Sequence, residues 1–240
     1  MRMFTIIFNL FAFFVTDPAQ TLMTNQFFNE GTKAARNAQY EKAIESYQKA
    51  LIYVKNQETN DNFLVKIHSN IGVCLYQLKR YEAAVPEFTK AINMSNRKYQ
   101  KAFYALGMTQ TELRNWREAI SAFRGAVKLK EDDGEAWFDL ASVLLIENDL
   151  AEAEIAFRKS IKYKSTASPY ARNNIGVILA LNGDIPTAEI QFKAALIESN
   201  GDMVEARNNL QFCRSYKLST DKKLVGNLEF STQNKSRRQI

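Results

Sequence analysis

At 240 residues, with 46% hydrophobic and 24% charged side chains, the sequence suits one large globular domain or two small ones, and excludes a disordered, collagen-like or polytopic membrane chain. Nine glycines and four prolines are too few for an all-β chain with its many turns. Two cysteines exclude a disulfide-rich fold and any four-cysteine zinc site, and the single histidine, His68, excludes a histidine-rich metal centre. The net charge is +6, but residues 217–240 carry +4 of it through Lys217, Lys222, Lys223, Lys235, Arg237 and Arg238 against Asp221 and Glu229. The rest of the chain therefore lacks the clustered basic surface that nucleic-acid binding needs.

In chain order, the first segment reads as a targeting sequence over residues 1–19. Arg2 gives a basic start, residues 4–15 form an apolar run broken by Thr5 and Asn9, and Thr16, Asp17 and Pro18 end it. That order matches a cleaved secretory signal peptide, and the run is short for a bilayer span. Asp17 stands where a small residue belongs in a cleavage site, so an uncleaved membrane-proximal anchor and a cytosolic first helix remain as alternatives.

The body, residues 20–216, repeats itself. Gly31, Gly72, Gly107, Ala141 and Gly176 are spaced by 41, 35, 34 and 35 residues. Twelve residues after each stands an alanine: Ala43, Ala84, Ala119, Ala153 and Ala188. Four further on come the aromatics Tyr47, Phe88, Phe123, Phe157 and Phe192, and three beyond those the small residues Ala50, Ala91, Ala126, Ser160 and Ala195. Small residues let two helices approach closely, and an aromatic four residues along the same face fills the space beside them. Polar breaks such as Asn182-Gly183-Asp184 turn the chain between helices. Each unit is a helical hairpin whose two apolar sides need a neighbouring hairpin.

This pattern resembles the tetratricopeptide repeat family, with its period of about 34 residues, and Trp137 stands in that family's opening aromatic position. The resemblance implies an all-α, right-handed superhelical solenoid, with units at 24–57, 65–98, 100–133, 134–167 and 169–202 and a capping helix at 204–216. Three departures stand out: Glu30 at an apolar packing position, Pro86 inside a second helix where it should kink, and extra residues at 58–62.

In this family the first helix of each unit lines a concave groove, which here implies Phe28, Lys66, Asn70, Tyr76, Lys101, Tyr104, Phe138, Tyr170, Asn173, Asn174, Asn208 and Asn209 as partner-binding residues. Asn70, Asn174 and Asn209 share one repeat position, interrupted by Ala105 and Asp139. An asparagine amide can pair with both N–H and C=O of an extended peptide, and the family uses asparagines at this position that way. The alternative is that they bond within the solenoid or face water. The carboxylate clamp of the co-chaperone members is matched only at Asn70 and Lys101, while Phe28, Thr32 and Ala105 fill its other positions, so chaperone C-termini are not expected ligands.

No catalytic constellation, metal site or cofactor motif accompanies these residues: His68 stands alone, and Glu131, Asp132 and Asp133 read as solvated acids near a helix start. Cys74 and Cys213 lie in units too far apart for a disulfide and read as packed free thiols. The basic tail, 217–240, reads either as a disordered extension or as a segment that orders on a partner, on anionic lipid or in its own groove. The sequence thus implies a non-catalytic scaffold that binds a protein or an extended peptide, in the periplasm or another extracytoplasmic complex. The alternative is a cytosolic or membrane-associated subunit working through its convex face or its tail.

Overall fold

The computed structural model describes residues 18–54, 61–218 and 228–231, and all regular structure within them is α-helical. Eleven helices follow in order: α1 Pro18–Arg36, α2 Tyr40–Val54, α3 Asp61–Gln77, α4 Tyr81–Met94, α5 Gln100–Glu112, α6 Trp116–Leu129, α7 Gly134–Ile146, α8 Leu150–Lys162, α9 Ser168–Leu181, α10 Ile185–Glu198 and α11 Val204–Leu218. α1 to α10 pack as consecutive hairpins, each second helix packs on the first helix of the next hairpin, and α11 covers the end. Odd-numbered helices also touch one another, α3 with α5, α5 with α7 and α9 with α11, so they form the inner layer of the solenoid.

The small and aromatic columns meet as a set of pairs. A Cβ added to Gly31 would lie 2.8 Å from the Tyr47 ring, and one on Gly176 would lie 2.6 Å from Phe192, closer than real Cβ atoms come. Gly72 and Gly107 face Phe88 and Phe123 in the same way. The absent side chain lets the two helices of a hairpin close over a ring, and all five rings of the column are at most 1% exposed. Gly125 adds an approach outside the columns, where an added Cβ would lie 2.5 Å from the Phe103 ring.

Each hairpin turns through a residue with positive φ, at Ala38, Lys79, Arg114, Asn148 and Gly183. The turn returns two N–H groups to the helix end, as where Arg80 N donates to Leu75 O at 2.9 Å and Lys79 N to Tyr76 O at 2.8 Å, which satisfies carbonyls that a helix terminus leaves open. Asp133, Asp149 and Asp184 cap α7, α8 and α10 with their carboxylates.

The departures resolve as follows. Glu30 is exposed on α1 and accepts a bond from Gln26. α4 continues as helix through Pro86, which is exposed on its outer side. α1 and α3 begin ahead of residues 24 and 65, and in α1 Thr24 Oγ1 donates to Gln20 O, one turn back, at 2.8 Å. Of the targeting sequence read over residues 1–19, residues 1–17 lie outside the described residues and Pro18 and Ala19 begin α1; most of the extra link before α3 also lies outside them. No helix among the described residues is long and apolar enough to cross a membrane.

Candidate functional site

Three asparagines at the C-terminal end of the inner layer are the best-ordered polar cluster of the groove. Asn173 and Asn174 sit on α9, Asn209 on α11, and each is at most 1% exposed. Asn209 Nδ2 donates to Asn173 Oδ1 at 2.9 Å, tying the capping helix to the last hairpin. Buried amides of this kind must find partners, because an unpaired one costs about 1–3 kcal/mol.

They find them in the tail. Glu229 N donates to Asn209 Oδ1 at 2.8 Å, and Glu229 O accepts from Asn209 Nδ2 at 2.8 Å and from Asn173 Nδ2 at 2.9 Å. Ser231 N donates to Asn174 Oδ1 at 2.7 Å, and Ser231 O accepts from Asn174 Nδ2 at 2.9 Å. Two backbone positions, two residues apart, thus have both N–H and C=O paired with side-chain amides. The two-residue spacing is the alternation of an extended chain, and each amide substitutes for a neighbouring strand. Ser231 Oγ accepts from Asn173 Nδ2 at 2.9 Å, and Ser231 is 2% exposed. Leu228 packs against the cluster of Val177, Ile185 and Leu210 between α9, α10 and α11. Residues 228–231 therefore run from α11 towards α9, against the order of the hairpins. The flanking parts of the tail, 219–227 and 232–240, lie outside the described residues.

The N-terminal part of the groove is built differently. Asn70, at the same repeat position as Asn174, donates to Tyr47 Oη at 3.2 Å, and Tyr47 Oη donates to Thr32 Oγ1 at 3.2 Å. Burial lifts the Tyr47 phenol above its usual pKa, which keeps the hydroxyl neutral and able to serve both neighbours. Phe28 packs its ring on Tyr47 and Phe63. In the middle, Tyr104 Oη donates to Asp139 Oδ2 at 2.8 Å, so the acid that replaces asparagine there is drawn into a bond across the α5–α7 seam. Phe138 is buried on Phe157, and Tyr76 packs on Tyr81. Tyr170 is half-buried between α9 and its neighbours, while Lys66, Lys101 and Asn208 are exposed. The structure brings Asn173, Asn174 and Asn209 into one site, places Phe138 in the wall of the cavity beside it, and sets the other eight expected groove residues elsewhere along the inner layer.

Beside Ser231 the groove opens into a cavity of about 670 Å³ lined by Met108, Trp116, Phe123, Phe138, Val143 and Ile146, with Phe230 and Ser231 on its rim. That volume lies within the range of small-ligand and side-chain pockets.

Elsewhere, His68 Nδ1 lies 2.7 Å from Glu87 Oε2, and Lys90 Nζ lies 2.7 Å from the other oxygen. Burial pushes the Glu87 carboxyl up, and the bonds from His68 and Lys90 outweigh it, so its pKa is lowered overall. Burial raises the Cys74 thiol to about 11, which leaves it protonated and unreactive at neutral pH. Cys74 and Cys213 are both buried, and neither is in a disulfide. Among the described residues no group of three or more His, Cys, Asp or Glu is placed to hold a metal.

Two family models match the chain, both described as tetratricopeptide repeat, over residues 65–98 and 104–170. Over those residues the chain carries tetratricopeptide repeats. Among solved structures, the MamA protein superposes with a TM-score of 0.65 at 21% identity, covering 75% of this chain and 93% of that one. YrrB, described as a tetratricopeptide protein with an unusual peptide-binding site, superposes at 0.63 with 22% identity, covering 79% and 96%. A tetratricopeptide repeat protein from Parabacteroides merdae superposes at 0.65 with 17% identity, covering 82% and 75%. At these identities the likeness is one of fold. In sequence, BBSome complex member BBS4 of Xenopus tropicalis is 25% identical over 116 residues, 48% of this chain and 22% of its own length. The DnaJ homolog subfamily C member 7 homolog of Schizosaccharomyces pombe is 29% identical over 106 residues, 44% of this chain and 21% of its own. The chain thus spans about a fifth of the length of the curated relatives it matches.

Within the hairpins, the repeat columns locate the asparagines but not their tasks. Tyr47 was legible as a column aromatic, yet its hydroxyl decides what Asn70 does. Leu228, Glu229 and Ser231 carry no repeat signal at all. Leu228 and Phe230 were visible in the sequence, with Leu224 and Val225, as apolar residues scattered in a polar tail.

Proposed function

We propose that this chain is a non-catalytic tetratricopeptide scaffold, built of five repeats and a capping helix, that holds an extended peptide of a partner protein in its concave groove. The observation that carries this reading is the pairing of both backbone groups of Glu229 and of Ser231 with Asn209, Asn173 and Asn174. Those bonds use only backbone atoms, so any extended segment that fits the groove offers the same partners. Fold-level likeness to peptide-binding tetratricopeptide proteins supports it by analogy. The N-terminal apolar run favours an extracytoplasmic complex as its setting, and N-terminal sequencing of the mature protein tests that: a start near Gln20 supports export, and a start at Met1 refutes cleavage.

A photo-reactive residue placed at Thr111, in the groove wall, tests the binding role in cells. The expected result is an adduct with one extended segment of a partner, lost when Asn174 and Asn209 are both changed to Ala. Adducts undiminished by that double change would refute the asparagine clamp. A second reading places binding on the outer layer, because Ile52 of α2, Ile155 of α8 and Ile190 and Ile197 of α10 are 60% or more exposed. A partner lost on changing Ile190 and Ile197 to Lys, and kept by the asparagine variant, would favour that reading.

A further inference from the structure

We infer that residues 228–231 are a displaceable stand-in for the partner, and that the partner is an extended segment with an apolar residue at the Leu228 position, a small one at the Ser231 position, and a bulky apolar one within the next three. This rests on the groove reading above and deepens it.

The structure supplies each element of the pattern. Leu228 contributes an apolar side chain to the α9–α10–α11 cluster. The clamp itself is blind to side chains, since Glu229 and Ser231 are held by their backbone groups. The Ser231 side chain is different: it is 2% exposed and its Oγ lies 2.9 Å from Asn173 Nδ2, so this position takes only a small residue. Beyond Ser231 comes the mismatch. The segment runs from α11 to α9 and so points on towards α7, where the cavity of about 670 Å³ presents Met108, Phe138, Val143 and Ile146. After Ser231 the sequence reads Thr232-Gln233-Asn234-Lys235-Ser236-Arg237-Arg238-Gln239, with no apolar residue before Ile240. The tail matches the clamp and brings only the partly exposed Phe230 to the rim of the apolar wall next to it. Its attachment compensates, because a tethered segment competes at an effective concentration on the order of millimolar. A free partner displaces it by filling the cavity, and one buried apolar side chain adds on the order of ten- to a hundredfold in affinity.

The test uses two labelled synthetic peptides, one with the chain's own residues 226–236 and one with Gln233→Phe in that sequence, and reads binding by fluorescence anisotropy. Each is titrated against the full chain and against the full chain carrying Glu229→Pro and Ser231→Pro, which removes both N–H groups that the tail donates to the clamp. Thermal melting checks that the variants stay folded. The own-sequence peptide is expected to bind the released chain at least tenfold more tightly than the unaltered chain. The Gln233→Phe peptide is expected to bind the released chain at least tenfold more tightly still, and to lose that gain when Ser142 is changed to Trp to fill the cavity. Thr111→Trp on α5 is an independent block should Ser142→Trp unfold the chain. Equal binding to both chains would overturn the stand-in role while leaving the groove reading intact. An own-sequence peptide that outbinds the Gln233→Phe peptide, or equals it, would overturn the cavity assignment. No binding of either peptide to the released chain would sink the groove reading itself.

Discussion

Asn70 and Asn174 hold the same position in their repeats and do opposite work. Asn70 spends its amide on Tyr47, inside the solenoid, whereas Asn174 spends both ends of its amide on the backbone of Ser231. The difference comes from the preceding hairpin. The column aromatic next to Asn70 is a tyrosine, whose hydroxyl reaches it, while the corresponding residues ahead of Asn174 and Asn209 are Phe157 and Phe192, which have no polar atom to offer. A single oxygen separates a slot closed on itself from a slot open to a peptide. A repeat position therefore names a place, and its neighbour decides what the place can bind.

The largest change should follow from removing a column ring under the open end. Phe192→Ala is expected to cost about 3–5 kcal/mol in denaturant unfolding, and to loosen α9 and α11 while α1 to α4 keep their protection from hydrogen exchange, because hairpins contact only their neighbours. Protection lost evenly along the chain would erase the distinction between the two ends. Asn174→Ala comes next: it leaves the N–H and C=O of Ser231 without their partners and should cost about 1–3 kcal/mol, against less for Asn70→Ala, after which the Tyr47 hydroxyl keeps its bond to Thr32. Melting curves rank the two, and the reverse order would contradict the assigned roles.

A pair of single-oxygen exchanges sharpens the point. Tyr47→Phe should cost about 1 kcal/mol through its two lost bonds and leave the tail in place. Phe157→Tyr offers Asn174 a hydroxyl from within and should weaken the hold on Ser231 several-fold, read as faster exchange of its amide. The smallest effect is acid sensitivity in the closed half. Glu87 has a lowered pKa in the folded chain, so its stabilising contribution is full above the ordinary carboxylate value and is lost as pH falls through the lowered one. Glu87→Gln should flatten that part of the stability–pH curve, and an unchanged curve would remove the His68–Glu87–Lys90 cluster from the acid response.

Much of this architecture was readable from spacing. The small and aromatic columns predicted which rings would be buried because a period of one hairpin puts the same residue type at the same contact, and Gly176 against Phe192 is such a contact. The groove was harder. Asn174 and Asn209 were legible as members of one column, and Asn70 was indistinguishable from them, since the sequence position does not reveal a hydroxyl on the neighbouring helix. Phe138 reads as a groove residue by register, and it packs on Phe157 while its ring forms part of the wall of the cavity beside Ser231. The seat of residues 228–231 depends on long-range contact between segments with no common period, which local pattern cannot encode.

The central claim is that the asparagine amides hold an extended backbone, and amide hydrogen exchange at Glu229 and Ser231 tests it most directly. In the full chain both amides, paired with Asn209 Oδ1 and Asn174 Oδ1, should exchange at least tenfold more slowly than the Phe230 amide between them. Asn174→Ala should release Ser231 selectively and Asn209→Ala should release Glu229. Exchange of all three amides at the rate of a free peptide in the unaltered chain would contradict the account.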